Sequence, residues 1–180
     1  YNLAAAGFGQ DRFFLVWNSK FAAGSPRTIG GRAFVGDAPA APAFVIRASD
    51  TSTNGWSPLS IAVDSSGRAI LGWSEPESDG AATPAKSFMY RFRTSGAPLS
   101  SLEELSALPG YRQGSIPAVS ISPTSNWIAA WPRVADGSAP AGIDGLMGTI
   151  VDGCAPETQA LCLTGNRFRA TASYHDHLGR

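Results

Sequence analysis

One segment of the chain has residue types and a spacing that suit calcium binding. Asp50, Ser52 and Asn54 occupy alternate positions before Gly55, as oxygen ligands do in the first half of a calcium loop. An EF-hand loop also needs a bidentate glutamate at its twelfth position, which is Ile61 here. The segment therefore predicts a solvated turn, with a looser calcium site at these three side chains as the alternative. We expect no other cofactor.

A tryptophan in the same polar loop is the candidate for ligand binding. Trp56 lies two residues after Asn54 and departs from the regular spacing of the repeated tryptophans discussed below. An indole ring presents a large apolar surface with one polar edge. We therefore predict that Trp56 and Asn54 form an exposed contact, with a glycan as the candidate ligand.

The sequence lacks the groups that nucleophilic or acid/base catalysis requires. His175 and His177 are its two histidines, so a histidine base would have to come from the last six residues. No Gly-x-Ser-x-Gly elbow occurs, and the neighbouring carboxylates have the context of exposed loop charges. The two histidines of His175-Asp176-His177 would share one face of a strand, but a metal would need a third and a fourth ligand, and none is evident nearby. We predict no catalytic residue, and we expect that the chain is not an enzyme.

The two cysteines are the remaining reactive groups. Cys154 and Cys162 have seven residues between them, and a disulfide would close a small loop and stabilise the fold by roughly 2–3 kcal/mol. Such a bond would place the protein outside the cytosol. Two free thiols or half of a metal site are the alternatives, although zinc sites usually draw two ligands from a closer spacing. We predict the disulfide.

Three similar segments must position these groups. Each is a short apolar run that ends in a tryptophan, and Trp17, Trp73 and Trp131 lie 56 and 58 residues apart. A polar turn precedes each run, and in two copies a stretch with apolar residues at alternate positions precedes the turn. This pattern is typical of a β-hairpin. We interpret the three tryptophans as packing residues, because repetition at one position of a unit favours a structural role over a ring of sugar-binding platforms.

Landmarks after each hairpin support a single period. A further strand is predicted at residues 31–35, 90–93 and 148–151, and it leads to turns that contain Pro39, Pro98 and Pro156, which lie 59 and 58 residues apart. A unit of about 58 residues with three or four strands is typical of a β-propeller blade. The predicted fold is all-β, with three propeller-type repeats in an incomplete ring, and a β-sandwich is the alternative.

The predicted organisation follows from these landmarks. Three repeat units cover residues 1–152, at about 1–54, 55–113 and 114–152. Residues 153–180 form the disulfide-looped start of a C-terminal β segment. The chain begins with Tyr1 rather than Met, so we expect that a leader has been removed or that the chain is a fragment.

Charge and hydrophobicity exclude two classes of partner. The 14 Lys and Arg residues balance the 14 Asp and Glu residues, and no basic run provides an electrostatic footprint for nucleic acid. No apolar run reaches the ~18 residues of a membrane-spanning helix. Apolar residues make up 43% of the chain, which indicates a globular protein with a core. We expect neither nucleic-acid binding nor membrane insertion.

Two parts of the chain resemble bacterial secreted proteins. The order of proline, alternating strand, polar turn, apolar strand and tryptophan, clearest from Ile116 to Trp131, resembles their tandem β-repeats. The segment from Cys154 to Arg169 is similar to the opening of a small β domain at the ends of such proteins, where a cysteine pair precedes a Cys-Leu-x-Gly-x-Arg-Phe strand. The resemblance implies an extracellular, cell-surface or periplasmic location and no particular reaction.

The incomplete ring determines the expected function. Three units cannot close a ring of about four to eight blades, and open sheets expose strand edges and apolar faces. We therefore expect the chain to complete its architecture with another protein chain or by self-association. The leading function is a non-catalytic secreted or cell-surface module for binding or assembly. A propeller-type fragment of a carbohydrate-active enzyme and an accessory subunit of a larger envelope complex are the alternatives.

Overall fold

The computed structural model describes seven stretches of the chain, residues 2–19, 27–49, 58–75, 86–105, 117–133, 142–150 and 166–171. Regular structure in these stretches consists of β-strands, and the described residues contain no α-helix. The strands form three antiparallel sheets in chain order, none of which closes on itself. The prediction of an all-β fold is confirmed.

In each sheet, consecutive strands pair, except that β5 of sheet 1 pairs with β3 rather than with β4. We number the sheets 1 to 3. Sheet 1 contains β1 (Leu3–Gly7), β2 (Arg12–Ser19), β3 (Arg27–Val35), the two-residue β4 (Ala38–Pro39) and β5 (Phe44–Ser49), and both β4 and β5 pair with β3. Sheet 2 contains β6 (Ser60–Val63), β7 (Arg68–Glu75), β8 (Lys86–Arg93) and the two-residue β9 (Glu103–Glu104). Sheet 3 contains β10 (Ala118–Ile121), β11 (Asn126–Arg133), β12 (Gly142–Thr149) and β13 (Asn166–Thr171).

The hairpins expected from the apolar runs are present as the first two strands of each sheet. The second strands β2, β7 and β11 all have eight residues, and the repeated tryptophan is the sixth residue of each. The third strands start earlier than their sequences suggest. β12, for example, begins at Gly142, six residues before the expected start at Gly148, because it pairs along the full length of β11.

The fourth strand of sheet 3 comes from the C-terminal part of the chain. β13 pairs with β12 from Asn166 opposite Met147 to Thr171 opposite Gly142. These residues lie within the 153–180 segment, which was predicted to be separate from the third unit. The Arg167-Phe168-Arg169 run therefore belongs to the same sheet as Trp131.

The three hairpin turns share one hydrogen-bond pattern. In each turn, the amide of the residue after the first strand donates to the carbonyl of the residue that begins the second strand. The residue before the second strand has a left-handed backbone, and its carbonyl accepts a bond from just beyond the third strand. The first bond joins Phe8 to Arg12, Asp64 to Arg68 and Ser122 to Asn126, and the left-handed residues are Asp11, Gly67 and Ser125, which accept from Gly36, Thr94 and Ile150.

The sheets pack face to face in chain order. We call the face that carries the repeated tryptophan the front face of each sheet and the opposite face its back face. One buried cluster joins the back face of sheet 1 to the front face of sheet 2, and its members include Phe14, Val16, Leu71, Trp73 and Phe92. A second cluster joins the back face of sheet 2 to the front face of sheet 3, and it includes Ile70, Met89, Trp127, Ala129 and Trp131.

The first strands of the three sheets lie side by side. β6 lies against β1, and β10 lies against β6. The amide of Val119 in β10 donates to Oγ of Ser60 in β6 at 3.1 Å. The approach is closest at Gly72, where an added Cβ would lie 2.8 Å from Cγ of Pro117 and 2.9 Å from its carbonyl oxygen. Glycine at this position therefore lets sheet 3 pack on sheet 2.

Gly72→Ala is expected to destabilise the protein by about 1–3 kcal/mol, because a methyl group would collide with a backbone atom that cannot rotate away. Without a collision, this substitution would restrict the unfolded chain and stabilise the protein by about 0.4–1 kcal/mol. Ala130→Val is the control at a protein concentration low enough to keep the chain monomeric, since Ala130 pairs with Ala118 as Gly72 pairs with Ser60 and no described residue of the same chain packs across from it. Urea denaturation measures both variants, and an unchanged or raised midpoint for Gly72→Ala would contradict the close approach.

Candidate functional site

Most residues that the sequence singles out lie outside the described residues. This applies to the calcium and ligand-binding candidates, to the two cysteines and to the two histidines, which are Asp50, Ser52, Asn54, Trp56, Cys154, Cys162, His175 and His177. The calcium site, the Trp56 contact and the disulfide therefore stay predictions. The described residues contain no group of three or more His, Cys, Asp or Glu side chains that could hold a metal ion.

The repeated tryptophans are described, and they differ in exposure. Trp73 and Trp131 are buried, whereas Trp17 is half-buried on the front face of sheet 1. Trp73 stacks on Phe88 with a centroid distance of 5.6 Å, and its Nε1 donates to Oε1 of Glu75 at 2.8 Å. The same carboxylate oxygen lies 3.3 Å from Nε of Arg47 in sheet 1. Trp73 thus takes part in the contact between sheets 1 and 2.

A buried polar network joins the turns of sheets 2 and 3. Ser125 Oγ donates to Oδ2 of Asp64 at 2.6 Å, and Arg68 Nε donates to the same oxygen at 2.6 Å. Arg68 Nη2 also donates to Ser125 Oγ. The Asp64 side chain is fully buried. Because Ser125 belongs to sheet 3 while Asp64 and Arg68 belong to sheet 2, the network fastens one turn to the next.

The network sets the protonation state of Asp64. Burial raises the pKa of this carboxyl group, but the hydrogen bonds from Ser125 and Arg68, together with the charge of Arg68, outweigh burial and lower the pKa below 3.8. A carboxyl group whose pKa is lower in the folded state stabilises the fold at a pH above its unfolded-state pKa. That stabilisation is lost as the pH falls through the folded-state value.

Asp64→Asn is therefore expected to destabilise the protein by about 1–3 kcal/mol at neutral pH, the scale of hydrogen bonds to a charged group. The deficit relative to the unmodified chain should shrink as the pH falls from about 4 towards the folded-state pKa, because Asp64 takes up a proton first in the unfolded chain and only at lower pH in the folded chain. Thermal denaturation as a function of pH measures this effect. Ser125→Ala removes one of the donors to Asp64 and should therefore show a smaller deficit of the same kind. A deficit of Asp64→Asn that stays constant down to pH ~2 would contradict the role assigned to the Asp64 charge.

Arg91 forms a second link between sheets 2 and 3. Its side chain is 1% exposed and donates to Glu103 of β9, while Cζ of Arg91 lies 4.7 Å from the ring centroid of Trp127 in sheet 3. Burial lowers the pKa of Arg91 despite the opposing effect of Glu103. Burial likewise raises the pKa of Glu103 despite Arg91. For both groups, desolvation therefore outweighs the attraction within the pair.

Among the described residues, the exposed large apolar side chains concentrate on the two sheet faces that no other described sheet covers. Leu3 and Val45, at 67% and 63% exposure, lie on the front face of sheet 1. Ile143 and Met147, at 47% and 40%, lie on the back face of sheet 3. Val35 is the fifth such residue, and it ends β3 at the rim of sheet 1. We call the first two surfaces the open front face and the open back face.

The open front face is rich in aromatic rings. Phe13 and Phe34 stack in parallel with a centroid distance of 5.0 Å and an interplanar angle of 2°. Cζ of Arg32 lies 5.8 Å from the Phe34 centroid. Phe13, Phe34 and Trp17 are all only half-buried. In sheets 2 and 3, the positions that correspond to Phe13 and Trp17 are fully buried, because a preceding sheet covers them.

The open back face contains a groove of about 530 Å³. Its lining combines hydroxyl, amide and apolar groups and includes no acidic side chain: Ser120, Ile121, Ser122, Asn126, Trp127, Ile128, Met147, Gly148 and Thr149. Some of the polar groups are already paired, since Thr149 Oγ1 donates to Oδ1 of Asn126 at 2.7 Å. Such a combination of apolar groups with a few polar ones is typical of ligand-binding clefts.

Comparison of the sequence with protein-family models finds no matching family, and comparison with curated proteins finds no similar chain. In the described part of the chain, no helix is long and apolar enough to cross a membrane.

Sequence reasoning missed the residues that join the sheets. Asp64 and Ser125 each stand in a polar turn that the repeat pattern identifies, so their equivalence was detectable. Their direct contact was not, because it joins different positions of two successive turns, 61 residues apart. Arg91 and Glu103 carried no signal, since charged residues in strands are usually solvated.

Proposed function

We propose that this chain is a non-catalytic module that acts by assembling with another protein chain, and that its three sheets are propeller-type blades. The observation that carries this proposal is the concentration of exposed large apolar side chains on the open front and open back faces. Extended apolar surfaces on soluble proteins typically mark interaction sites. The equivalent faces of the other sheets are buried: the front faces of sheets 2 and 3 and the back faces of sheets 1 and 2 each pack on a neighbouring sheet.

The arrangement of the sheets favours blades over a sandwich. A β-sandwich has two sheets around one core, whereas three sheets here pack in series around two cores, with their first strands adjacent. Propeller blades are four-stranded antiparallel sheets placed around a central axis. The shared hydrogen bonds of the three turns, and the sixth-position tryptophans, support descent of the sheets from one repeated unit.

The proposed location is outside the cytosol, at the cell surface, in the periplasm or in the medium. It is supported by the resemblance to secreted β-repeat proteins and by the cysteine spacing. An accessory role within a larger envelope complex is compatible with the same open faces. The lining of the groove favours binding over the alternative of a carbohydrate-active enzyme, because it offers hydroxyl and amide groups without a carboxylate.

Mass measurement in solution tests the assembly proposal. We expect light scattering coupled to gel filtration to give a mass above the 18.7 kDa of one chain, or else a monomer that binds an apolar dye such as ANS at its open faces. A stable 18.7 kDa monomer that binds no dye would overturn the proposal.

A glycan array combined with an assay for released reducing sugars tests the non-catalytic part. Binding without turnover is expected if a glycan is a ligand. Turnover that disappears when one specific carboxylate is replaced would overturn the assignment and favour the enzyme.

A further inference from the structure

We propose that the partner is a second copy of this chain, and that the open back face of each copy packs on the open front face of the other. The inference rests on the proposed assembly function and identifies its partner. Two copies related by a twofold axis would form a ring of six sheets, within the range of about four to eight in propellers. Both open faces of both copies would be covered at once, so the assembly would close rather than grow into a fibre.

The contact between sheets 2 and 3 provides a template for the new interface. Arg91 pairs with Ile70 in sheet 2 as Met147 pairs with Ile128 in sheet 3, so Met147 corresponds to Arg91. Arg91 lies over Trp127 of the next sheet. Arg91 and Met147 therefore occupy equivalent positions on the back faces of sheets 2 and 3.

The residue that corresponds to Trp127 in sheet 1 is Phe13. Trp127 pairs with Gly148 as Phe13 pairs with Phe34, at the second position of the second strand. The template therefore places Met147 of one copy over the stacked rings of Phe13 and Phe34 in the other. A thioether over aromatic rings is a favourable contact, and it would cover a methionine that is 40% exposed in the single chain.

The turns provide an independent argument for the same pairing. In the filled interfaces, the first turn residue of one sheet meets the left-handed residue of the next. Asp64 meets Ser125 at 2.6 Å, and Cε2 of Phe8 lies 3.8 Å from a Cβ built on Gly67. The remaining residues of these two types are Ser122, on the turn of sheet 3, and Asp11, on the turn of sheet 1.

Ser122 and Asp11 are thus the same chemical pair as Asp64 and Ser125, with the hydroxyl and the carboxylate exchanged between sheets. In the single chain, Ser122 Oγ lies 2.9 Å from Oγ1 of Thr124 and accepts from the amide of Asn126 at 3.1 Å. In the dimer the Ser122 hydroxyl would instead donate to the carboxylate of Asp11, which is a charge-assisted hydrogen bond. Asp11 is exposed in the single chain and Ser122 is half-buried. The chain therefore carries both halves of a polar contact that an unrelated partner would have no reason to match.

Exchange of this pair tests the proposal. The unmodified chain is expected to have twice the 18.7 kDa mass of one chain. Ser122→Asp would place two carboxylates together and weaken dimerisation by at least about tenfold, since like charges in an interface are strongly unfavourable. The double variant Asp11→Ser/Ser122→Asp reproduces the order found in Asp64 and Ser125, and it should restore the dimer. Ser65→Asp, in the exposed turn of sheet 2, is the control and should leave the mass unchanged.

A second comparison tests the apolar contact. Met147→Lys should shift the dimer to monomer, whereas Val35→Lys, at an exposed apolar residue outside both open faces, should not. If Ser122→Asp fails to give a folded β-sheet spectrum in circular dichroism, the comparison of Met147→Lys with Val35→Lys still tests the proposed pairing of faces.

The possible failures are distinguishable. A dimer that neither Ser122→Asp nor Met147→Lys weakens would overturn this pairing of faces while leaving the assembly function in place. A monomer that binds ANS would overturn the second copy as partner and leave assembly with a different chain. A monomer that binds no dye would overturn both proposals.

Discussion

Trp73→Ala is expected to reduce the free energy of unfolding by about 3–5 kcal/mol, the range for removal of a large buried aromatic side chain. Trp73 has no exposed surface, and its ring stacks on Phe88 within the cluster between sheets 1 and 2. Truncation would leave a cavity and would remove the donor to the buried carboxylate of Glu75. Oε1 of Glu75 would keep the longer hydrogen bond from Nε of Arg47 at 3.3 Å, and loss of the shorter bond adds to the cost of the cavity.

Trp17→Ala is the matched control, because Trp17 occupies the same strand position in sheet 1 but is half-buried on an open face. Equilibrium urea denaturation, at a protein concentration low enough to keep both variants monomeric, should give a clearly smaller loss for Trp17→Ala. Equal losses would contradict the difference in burial between the two positions. At concentrations that favour the dimer, the loss for Trp17→Ala should increase.

Arg91→Met is expected to reduce the free energy of unfolding by about 2–3 kcal/mol, because it removes a charged hydrogen-bond donor and leaves the carboxylate of Glu103, whose side chain is 31% exposed, without this partner. Methionine retains most of the side-chain volume over Trp127, so the loss reports mainly on Glu103. Because burial already raises the pKa of Glu103, removal of the arginine should raise it further. The deficit should therefore shrink as the pH is lowered and Glu103 takes up a proton.

The double variant Arg91→Met/Glu103→Leu separates the value of the ion pair from the cost of breaking it. Desolvation outweighs attraction for both partners, and replacement of such a pair by apolar residues is often neutral or stabilising. We expect the double variant to regain most of the stability lost in Arg91→Met, as measured by urea denaturation at neutral pH. A double variant as unstable as the single one would contradict this account.

The sequence was sufficient to predict the hairpins because their signals are local. Alternation before a polar turn, an apolar run after it and the spacing of Trp17, Trp73 and Trp131 all depend on residues close together in the chain. The starts of β3 and β12 were missed because glycines interrupt their apolar pattern, and pairing with a long second strand determines their length. The two-residue β9 is too short to carry any periodicity.

The candidate site was harder to predict because it depends on which units have neighbours. Trp17 and Trp73 have the same local pattern, yet one is half-buried and the other fully buried. Only the packing of sheets 1 and 2 distinguishes them. In the same way, Met147 and Arg91 correspond in register, but the buried position holds a paired charge and the open one an apolar side chain. No local rule anticipates that exchange.

The short β9 has a consequence for the behaviour of the protein at high concentration. Its two residues are both acidic, and Oε1 of Glu104 lies 3.6 Å from Nζ of Lys86 on the neighbouring strand. A brief, charged outer strand offers a poor template for a foreign strand. In concentrated solutions of this chain, the outer edge of sheet 2 should therefore not recruit foreign strands into amyloid fibres.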